Sequence, residues 1–359
     1  MTEEVQRHIR LSTSAYERWM ASRTPIVPAD LRRKHERMRE GPFVFLRGTF
    51  YRWVEQFPIV CAKAADAPRI TAIGDLHVEN FGTWRDREGR LIWGINDLDE
   101  AAVLPYTNDL VRLATSASLA SRDRHLVLRP REMCAAILDG YSASLERGGE
   151  PVVLAERRRW LRLVALNELR DPRLFWERML SLSRTRRVPP SALRALRAAC
   201  PGDWAAYTIH PRVAGVGSLG RMRFVALAPV AGGFVAREAK AFLPSAAARE
   251  STRPVANELV QRAVRSLDPF WRITNGWIVR RLAPDCSRIE MADLPQERDE
   301  QRLLRAMGWE TANLHLATAS AKRVIGRHLA SLRPRWLERA AEAMQASTVQ
   351  DWKEWKGRQ

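Results

Sequence analysis

Cysteine is scarce in this sequence, and the spacing of the few cysteines excludes two kinds of stabilising site. The 359 residues include Cys61, Cys134, Cys200 and Cys286, which stand far apart with no Cys-x-x-Cys pair. Neither a zinc knuckle nor a disulfide framework is therefore expected. We interpret the four side chains as buried thiols.

Long apolar runs are also absent. No segment approaches the run of about eighteen apolar residues that a membrane-spanning helix needs, and the N-terminal MTEEVQRHIR is charged with no apolar segment behind it. There is no internal repeat and no low-complexity linker. The content of 46% hydrophobic and 28% charged residues is typical of a folded protein. These features predict a cytoplasmic protein with no membrane partner.

Lysine is rare although the chain is strongly basic. Lys and Arg together number 59 against 41 acids, a net charge of +18, yet only six of these residues are lysines. Arginine presents a planar fork of donors to oxyanions, so this charge favours phosphate, polyanions or acidic partners. The arginines are dispersed, however, and compositional bias also explains them. A nucleic-acid-associated protein that uses the arginines of 152–198 and 300–340 stays open as an alternative.

Carboxylates are concentrated in two short segments, GDLHVENFG and INDLDEA, which follow predicted strands. Asp75 and Asn80 lie in the first segment. In the second, Leu98 separates Asp97 from Asp99, so on a strand the two carboxylates would point the same way. Carboxylate and amide oxygens are ligands that suit Mg²⁺. Turn capping explains each residue singly, but several acids close together repel one another unless a cation compensates.

A glycine-rich segment, RVAGVGSLGRMRFVALAPV, occurs in the second half of the chain. Gly215, Gly217 and Gly220 follow a G-x-G-x-x-G spacing, and Ser218 adds a hydroxyl that could bind a phosphate. A dinucleotide-binding fingerprint must open a helix, whereas RMRFVALA alternates like a strand. The kinase type of loop, which joins two strands, fits this pattern, and a plain hairpin turn is the alternative.

Lys240 follows on the next predicted strand, in FVAREAKAF, and with so few lysines composition does not explain it. It could bind nucleotide phosphates and be held by Glu258 on the following helix. Arg237 is the rival for the same role, because two residues three apart on a regular strand face opposite ways. The sequence leaves this choice open.

Several segments carry a resemblance to a known family of kinases. GDLHVEN, followed by INDLDEA and PYTNDLVRLA, resembles the catalytic segment of aminoglycoside-phosphotransferase-like kinases. The resemblance implies that Asp75 is the catalytic base toward an acceptor hydroxyl and that Asn80 and Asp97 are magnesium ligands. It also implies that Asp109 is a structural acid. Asp99 has no fixed role in that pattern and is either a further ligand or structural.

The order of these parts is unusual, because the glycine segment comes some 140 residues after the catalytic segment rather than before it. A circular permutation of the kinase-like fold would restore the usual order. From about 38 to 320 the chain resembles the bacterial domain-of-unknown-function family 2252, which is linked to the protein-kinase-like superfamily. The matching pieces are MREGPFVFLRG, GDLHVENFG, NDLDEA, DLVRLATS, GVGSLG, REAKAF, VQRAVRSLDPF and MGWETANLHLATA.

We therefore predict an α+β protein with a bilobal, permuted kinase-like fold, in which a small antiparallel-sheet lobe joins a large helical lobe. Residues 1–204 would form a helical lobe with the catalytic and metal loops. Residues 205–290 would form the small nucleotide-binding lobe, and 291–359 would be helices that return to the large lobe.

The predicted function is an ATP- and Mg²⁺-dependent phosphotransferase that acts on the hydroxyl of a small molecule. Arg47 would hold substrate or the acidic loop, with an interior ion pair as the alternative. Two alternative functions are compatible with the same fold: a kinase-like transferase of AMP, and a protein that binds nucleotide without catalysis. A metal hydrolase using Asp75, His77, Asp97 and Asp99 is a further possibility.

Overall fold

The computed structural model describes residues 8–122, 128–154, 158, 160–162, 171–251, 254–286 and 300–357. In these residues helices combine with small antiparallel sheets, so the α+β class is confirmed. The expected boundary between 290 and 291, and part of the arginine-rich 152–198 region, lie outside the described residues.

The N-terminal part is helical. Its helices are α1 (Ile9–Arg23), α2 (Pro28–Glu40), α3 (Pro42–Gly48), α4 (Phe50–Val60) and α5 (Ala62–Ala65). Proline opens α2 and α3, where its fixed φ suits the first helical turn and its missing N–H leaves no bond unmade. Phe43, Leu46, Phe50 and Trp53 from α3 and α4 belong to the largest apolar core.

Two small sheets follow and carry the acidic segments. Their strands are β1 (Arg69–Ala72), β2 (Phe81–Arg85), β3 (Leu91–Ile95), β4 (Ala102–Pro105) and β5 (Val152–Val153), where β1 pairs with β4, and β3 lies between β2 and β5. All these pairs are antiparallel. The strand, loop, strand, turn, strand order predicted from the sequence is confirmed. GDLHVEN is the loop between β1 and β2, and the aspartates of INDLDEA follow β3.

A five-stranded antiparallel sheet forms the second structural unit. Helices α6 (Tyr106–Arg122), α7 (Pro130–Arg147), α8 (Pro172–Leu180) and α9 (Pro190–Arg197) precede its strands β6 (Thr208–Pro211), β7 (Arg223–Val230), β8 (Gly233–Ala241), β9 (Arg272–Thr274) and β10 (Trp277–Leu282). The strand order is β6-β7-β8-β10-β9, and α10 (Val255–Arg262) lies between β8 and β9 in the chain. The predicted hairpin of β7 and β8 is confirmed. Its turn residues Ala231 and Gly232 both have positive φ, as in the tight turns that suit twisted strands.

Helices α8 and α9 pack on this sheet. Ala195 and Leu196 of α9 share a small core with Phe224, Ala239 and Trp277 of the strands. On the other side, α8 contributes its apolar residues to a core with β7, β8 and β10. Helices α8 and α9, which precede residue 205 in the chain, therefore bury their apolar faces against the sheet.

The last part of the chain returns to the first half. Its helices are α11 (Glu300–His315), α12 (Ala321–Ser331) and α13 (Trp336–Lys356). Helices α7 and α11 approach so closely that a Cβ on Gly140 would collide with the Arg305 carbonyl, and one on Gly308 with the Ile137 carbonyl. Helix α13 packs on α6. The helices of residues 300–357 thus lie against those that follow the acidic loops.

Glu310 of α11 is buried beneath β3 and should make stability depend on pH. Burial raises the pKa of Glu310 to about 7, despite the opposing Arg265 charge and the hydrogen bond from Asn313. The folded protein therefore holds a proton that the unfolded chain releases near pH 4.5, and stability falls as the pH rises between these values.

Glu310→Gln should remove this loss, so that the variant is more stable than wild type at pH 8 by about 3 kcal/mol and equally stable at pH 4. Urea unfolding at both pH values measures the difference. The exposed Glu88 supplies the control variant, Glu88→Gln, which should follow wild type. A Glu310→Gln profile parallel to that of wild type would contradict the expectation.

Candidate functional site

Asp109 of α6 shapes the loop that carries Asp75. Its carboxylate is fully buried and accepts hydrogen bonds from the backbone N–H groups of Ile73, at 2.7 Å, and Gly74, at 2.9 Å. The ring Nε2 of His315 lies 2.9 Å from the same carboxylate. Asp109 therefore fixes the backbone immediately before Asp75, which is the position that the resemblance implies for a structural acid.

The Asp75 carboxylate is held by Arg112, one turn further along α6. Arg112 Nε donates to Asp75 Oδ1 at 2.9 Å, and its Nη2 bonds the same oxygen and the Leu46 carbonyl. The guanidinium is fully buried over the rings of Phe50 and Trp53. Both of these bonds go to Oδ1, which leaves Oδ2 toward the glycine turn.

The environment of Asp75 favours proton uptake. Burial raises the pKa of the Asp75 carboxyl, and the negative charges of Glu100 and Asp97 raise it further. Arg112 lowers this pKa, but the net value still lies above the ordinary one. A carboxylate with a raised pKa that is oriented by a fixed donor is suited to accept a proton.

Asn80 ties the two acidic loops together. Its Nδ2 donates to the carbonyls of Asp75, at 3.1 Å, and Asp97, at 3.0 Å, while its Oδ1 accepts from the backbone N–H of Asp97 at 2.9 Å. The amide therefore sets the separation of the two loops. Its oxygen keeps one lone pair, since a carbonyl oxygen accepts two bonds.

Asp97 and Asp99 lie in the loop after β3, and both contact Lys240 of β8. Lys240 Nζ is 3.4 Å from Asp97 Oδ1 and also pairs with Asp99 Oδ2. Arg221 Nη1 lies 3.4 Å from Asp99 as well. The strand that was expected to carry Asp97 and Asp99 ends at Ile95. The two carboxylates still converge, because Lys240 contacts both of them.

The two carboxyls differ in pKa. Burial acts to raise the pKa of Asp97, but the Lys240 ammonium and a hydrogen bond from Asp99 outweigh it, so the pKa lies below its ordinary value. Burial and the neighbouring Asp97 charge raise the pKa of Asp99 to about 6. The Asp97 side chain is 51% exposed and that of Asp99 only 11%. Asp97 is thus the more acidic and the more accessible member of the pair.

The glycine turn lies over Asp75. Val216–Ser218 forms a short 3₁₀ turn after Gly215, which has a φ of 74° that favours glycine. A Cβ on Gly217 would stand 3.0 Å from the Arg47 carbonyl and 3.6 Å from Asp75 Oδ2. A larger residue at this position would therefore press on α3 and on the Asp75 carboxylate.

The N-terminal helices hold the far end of this turn. The backbone N–H of Val27 donates to the Gly220 carbonyl at 2.9 Å, and Ile26 pairs with Arg221 in an isolated antiparallel bridge. The Leu31 side chain packs where a Cβ on Gly220 would be. Gly220 also has a φ of 96°, so both space and backbone conformation require glycine there.

A buried glutamate organises positive charge beside Lys240. Glu238 and Lys240 lie two residues apart on β8 and so share a face. Arg223 Nη1 and Arg280 Nε donate to Glu238 at 2.8 Å each, and Arg212 pairs with its other oxygen. Burial acts to raise the pKa of Glu238, but the three arginines hold it well below its ordinary value. Arg223 Nη2 also donates to the Ser218 hydroxyl at 2.7 Å, which links this cluster to the glycine turn.

Two expected phosphate-site residues lie elsewhere. Arg237 is on the opposite face of β8, where its Nε donates to the Ala199 carbonyl at 3.1 Å and its guanidinium stacks over Phe270. Glu258 pairs with Arg262 on α10. Among the described contacts, Lys240 is held by the aspartates of the β3 loop, and no contact between Lys240 and Glu258 is recorded there.

Arg47 of α3 makes an ion pair with Glu79 of the acidic loop, and both side chains are buried. Of the two interpretations of Arg47, the structure shows the interior pair. His77 of the same loop is buried, edge-on to Phe43.

These elements enclose one narrow cleft, with a cavity volume of about 50 Å³. Asp75, Asn80, Asp97 and Asp99 line it together with the glycine turn. Tyr16, Lys34, Glu100 and Arg221 are among the further lining residues that sequence reasoning missed. Lys34 could have been noticed by the argument from rare lysines that singled out Lys240.

Oxygen ligands for Mg²⁺ are present only in part. In the portion of the chain that the structure describes, no three His, Cys, Asp or Glu side chains converge on a point that could hold a metal. Asp97 and Asn80 supply two adjacent oxygens, one anionic and one neutral. Mg²⁺ commonly takes one or two carboxylates and completes its shell with water and substrate phosphates, so these residues fit a magnesium–phosphate complex.

Within the described residues, none of the helices has both the length and the apolar character needed to cross a bilayer.

Comparison with curated proteins and with solved structures gives no match. Residues 23–179 match the model of the family described as "Uncharacterized protein conserved in bacteria (DUF2252)". The match covers the acidic loops and Arg112 and ends before the glycine turn and Lys240. Over residues 23–179, it supports the relationship to this bacterial family that the sequence motifs indicate.

Proposed function

We propose that the protein is an ATP- and Mg²⁺-dependent phosphotransferase that acts on the hydroxyl of a small molecule. One observation carries this proposal: the glycine turn lies over Asp75, while Lys240 contacts the aspartates of the adjacent loop. Two segments some 140 residues apart in the chain thus meet at one cleft.

The arrangement of the small unit supports a kinase-like assignment. In protein kinases a glycine-rich loop covers the phosphates, and the phosphate-binding lysine lies on the third strand. Here the glycine turn joins β6 and β7, the first two strands of the sheet, and Lys240 lies on β8, the third. Helix α10 follows β8, as a helix follows the lysine strand in kinases, although Glu258 does not pair with Lys240 among the described contacts.

A circular permutation would explain the order of the parts. The described ends of the chain meet, since His8 Nε2 lies 3.5 Å from Glu354 and Arg10 Nη2 donates to the Trp355 carbonyl at 2.8 Å. Adjacent ends are the condition under which permutation is tolerated. Helix α11 also packs on β1 and β3, the strands that precede the acidic loops, where an element before the catalytic segment would be required.

In the proposed reaction Asp75 Oδ2 accepts the proton of the acceptor hydroxyl while Arg112 holds Oδ1. The acceptor oxygen forms a bond to the γ-phosphorus, the bond from that phosphorus to its bridging oxygen breaks, and ADP leaves with the electron pair. Catalysis of phosphoryl transfer depends mainly on positioning of the reactants and on neutralisation of their charge. Asp75 supplies the positioning through a carboxylate that cannot rotate freely.

The phosphates of the donor would lie between the glycine turn and Lys240. Backbone N–H groups of the turn and the Lys240 ammonium would bind their oxygens. Mg²⁺ held by Asp97 and Asn80 would neutralise the charge that develops on them. To release Lys240 for this role, its contacts with Asp97 and Asp99 must weaken.

The cleft must open to admit a nucleotide. Small-molecule sites usually enclose about 300–1,000 Å³, several times the volume found here. Val216 of the glycine turn is buried against Gly48 of α3, so the turn has to lift from α3 for the cleft to widen. We infer that the structure is the closed form and that nucleotide binding displaces the turn.

Asp97→Ala should abolish stabilisation by ATP and Mg²⁺. At a hundredfold excess over the dissociation constant, wild type should gain about 2.7 kcal/mol of unfolding free energy, which appears as a rise in melting temperature. The variant should gain nothing, since it loses the anionic metal ligand. Asp139→Ala, which removes an exposed carboxylate paired with Arg305, is the control and should behave as wild type. An undiminished shift in Asp97→Ala would contradict the metal assignment.

The products separate phosphoryl transfer from the alternatives. Release of ADP identifies phosphoryl transfer, pyrophosphate identifies transfer of AMP, and neither identifies a protein that only binds nucleotide. Binding to nucleic acid would instead weaken steeply with salt, in proportion to the number of phosphates neutralised.

A further inference from the structure

Lys34 of α2 is a buried cation with no acidic partner in the part of the chain that the structure describes. Its side chain is 1% exposed and lines the same cleft as Asp75. The ammonium lies over the rings of Tyr16 and Tyr51, 5.6 and 5.5 Å from their centroids. Within the described residues the structure records no hydrogen bond and no ion pair of Lys34.

Such a group is costly in a folded protein. A buried ammonium that has lost water and gained no acceptor destabilises the fold, and contacts with aromatic rings offset only part of that cost. Burial lowers the pKa of Lys34 to about 8, with Glu17 acting in the opposite direction, so the side chain remains charged at neutral pH. A cation kept charged and unpaired in a cleft is suited to bind an anion.

The other cleft cations are already engaged. Arg47 pairs with Glu79, and Arg221 contacts Asp99, Glu100 and the Tyr16 hydroxyl. Lys240 lies on the side of Asp97, where the phosphoryl donor is proposed to bind. Lys34 comes from the N-terminal helices instead, and Glu100 and Asp75 are among its electrostatic neighbours.

We propose that Lys34, framed by Tyr16 and Tyr51, binds an oxyanion of the acceptor substrate beside Asp75. This inference rests on the proposed function and narrows it: the acceptor is a small hydroxyl compound that also carries a phosphate or a carboxylate. Lys34 binds that group, and Asp75 then faces the hydroxyl. Lys34 is a binding residue in this scheme and takes no part in proton transfer.

Inorganic phosphate, without nucleotide or metal, is the probe. Melting curves of the full chain with increasing phosphate should show a rise in Tm of at least about 2 °C for wild type at saturation. Lys34→Met, which keeps the length of the side chain and removes its charge, should show no rise. Lys63→Met removes an exposed lysine and should respond as wild type does. An equal phosphate response in wild type and Lys34→Met, or no response in wild type, overturns the proposal.

Two further readouts separate the possible outcomes. Without ligand, Lys34→Met should melt about 2 °C above wild type, because it buries no unpaired charge; a lower Tm would show a structural lysine and overturn the proposal. With ATP and Mg²⁺, Lys34→Met should keep the full stabilisation, and loss of that shift would assign Lys34 to the donor instead. If wild type itself gains nothing from ATP and Mg²⁺ while phosphate still separates the two proteins, the proposed function fails and the anion site stands.

Discussion

Asp75→Asn should lower the rate of ADP formation by about 10²–10⁴-fold, the usual contribution of a positioned general base. Asparagine keeps the shape of the side chain, and its oxygen can still accept the bond from Arg112 Nε, but it cannot take up a proton. Stabilisation by ATP and Mg²⁺ should persist, since the proposed phosphate and metal ligands are untouched. The basal release of ADP, in which water takes the place of the acceptor, measures the rate.

A matched control exists for this substitution. Asp351 is also a buried carboxylate held by an arginine, since Arg52 donates to its two oxygens at 2.7 and 2.9 Å, and neither residue lines the cleft. Asp351→Asn should therefore leave the rate of ADP formation unchanged. Equal rates for wild type and Asp75→Asn would remove Asp75 from the reaction.

Arg112→Met should destabilise the folded protein by about 3–5 kcal/mol, the range found when one member of a buried ion pair is removed. The substitution leaves the Asp75 carboxylate without its cation and the Leu46 carbonyl without its donor. It also frees Asp75 to rotate, so ADP formation should fall in parallel. Unfolding in guanidinium chloride measures the first effect, and ADP release measures the second.

Arg52→Met tests whether the loss of ADP formation in Arg112→Met is caused only by its lower stability. It breaks a buried pair of the same kind outside the cleft, so it should cost a similar free energy and leave ADP formation unchanged at temperatures where the protein is folded. Adding Asp75→Asn to Arg112→Met should restore part of the lost stability, because the uncompensated charge is then gone. A cost below about 1 kcal/mol for Arg112→Met would show that the pair is not effectively buried.

Local sequence patterns were sufficient for the secondary structure around the site. Alternation of apolar residues and a short turn predicted β2 and β3, and the same reasoning predicted the hairpin of β7 and β8. Both features depend on neighbours within about ten residues. The packing of α8 and α9 on the five-stranded sheet was not predicted, because an apolar helix face does not indicate which surface will cover it.

The choice between Lys240 and Arg237 also depended on packing that local sequence patterns do not predict. Alternation along β8 requires that the two residues face opposite ways, but it does not say which face is turned to the aspartates. Packing of α9 against the face of Arg237 leaves Lys240 facing the aspartates. Arg112 and the three arginines around Glu238 were missed for a related reason, since arginine is so common in this chain that composition hides the buried ones.

By itself the sequence determined which chemical groups are available: two carboxylate-rich loops, a glycine turn between strands, and one lysine on the strand that follows. These follow from residue type and from spacing over a few residues. Only the tertiary structure decided that the turn covers Asp75, that Asn80 joins the two loops and that Lys34 is buried with no hydrogen bond or ion pair among the described residues. Those contacts join residues far apart in the chain, and they form because burial of the helices and sheets brings the segments together.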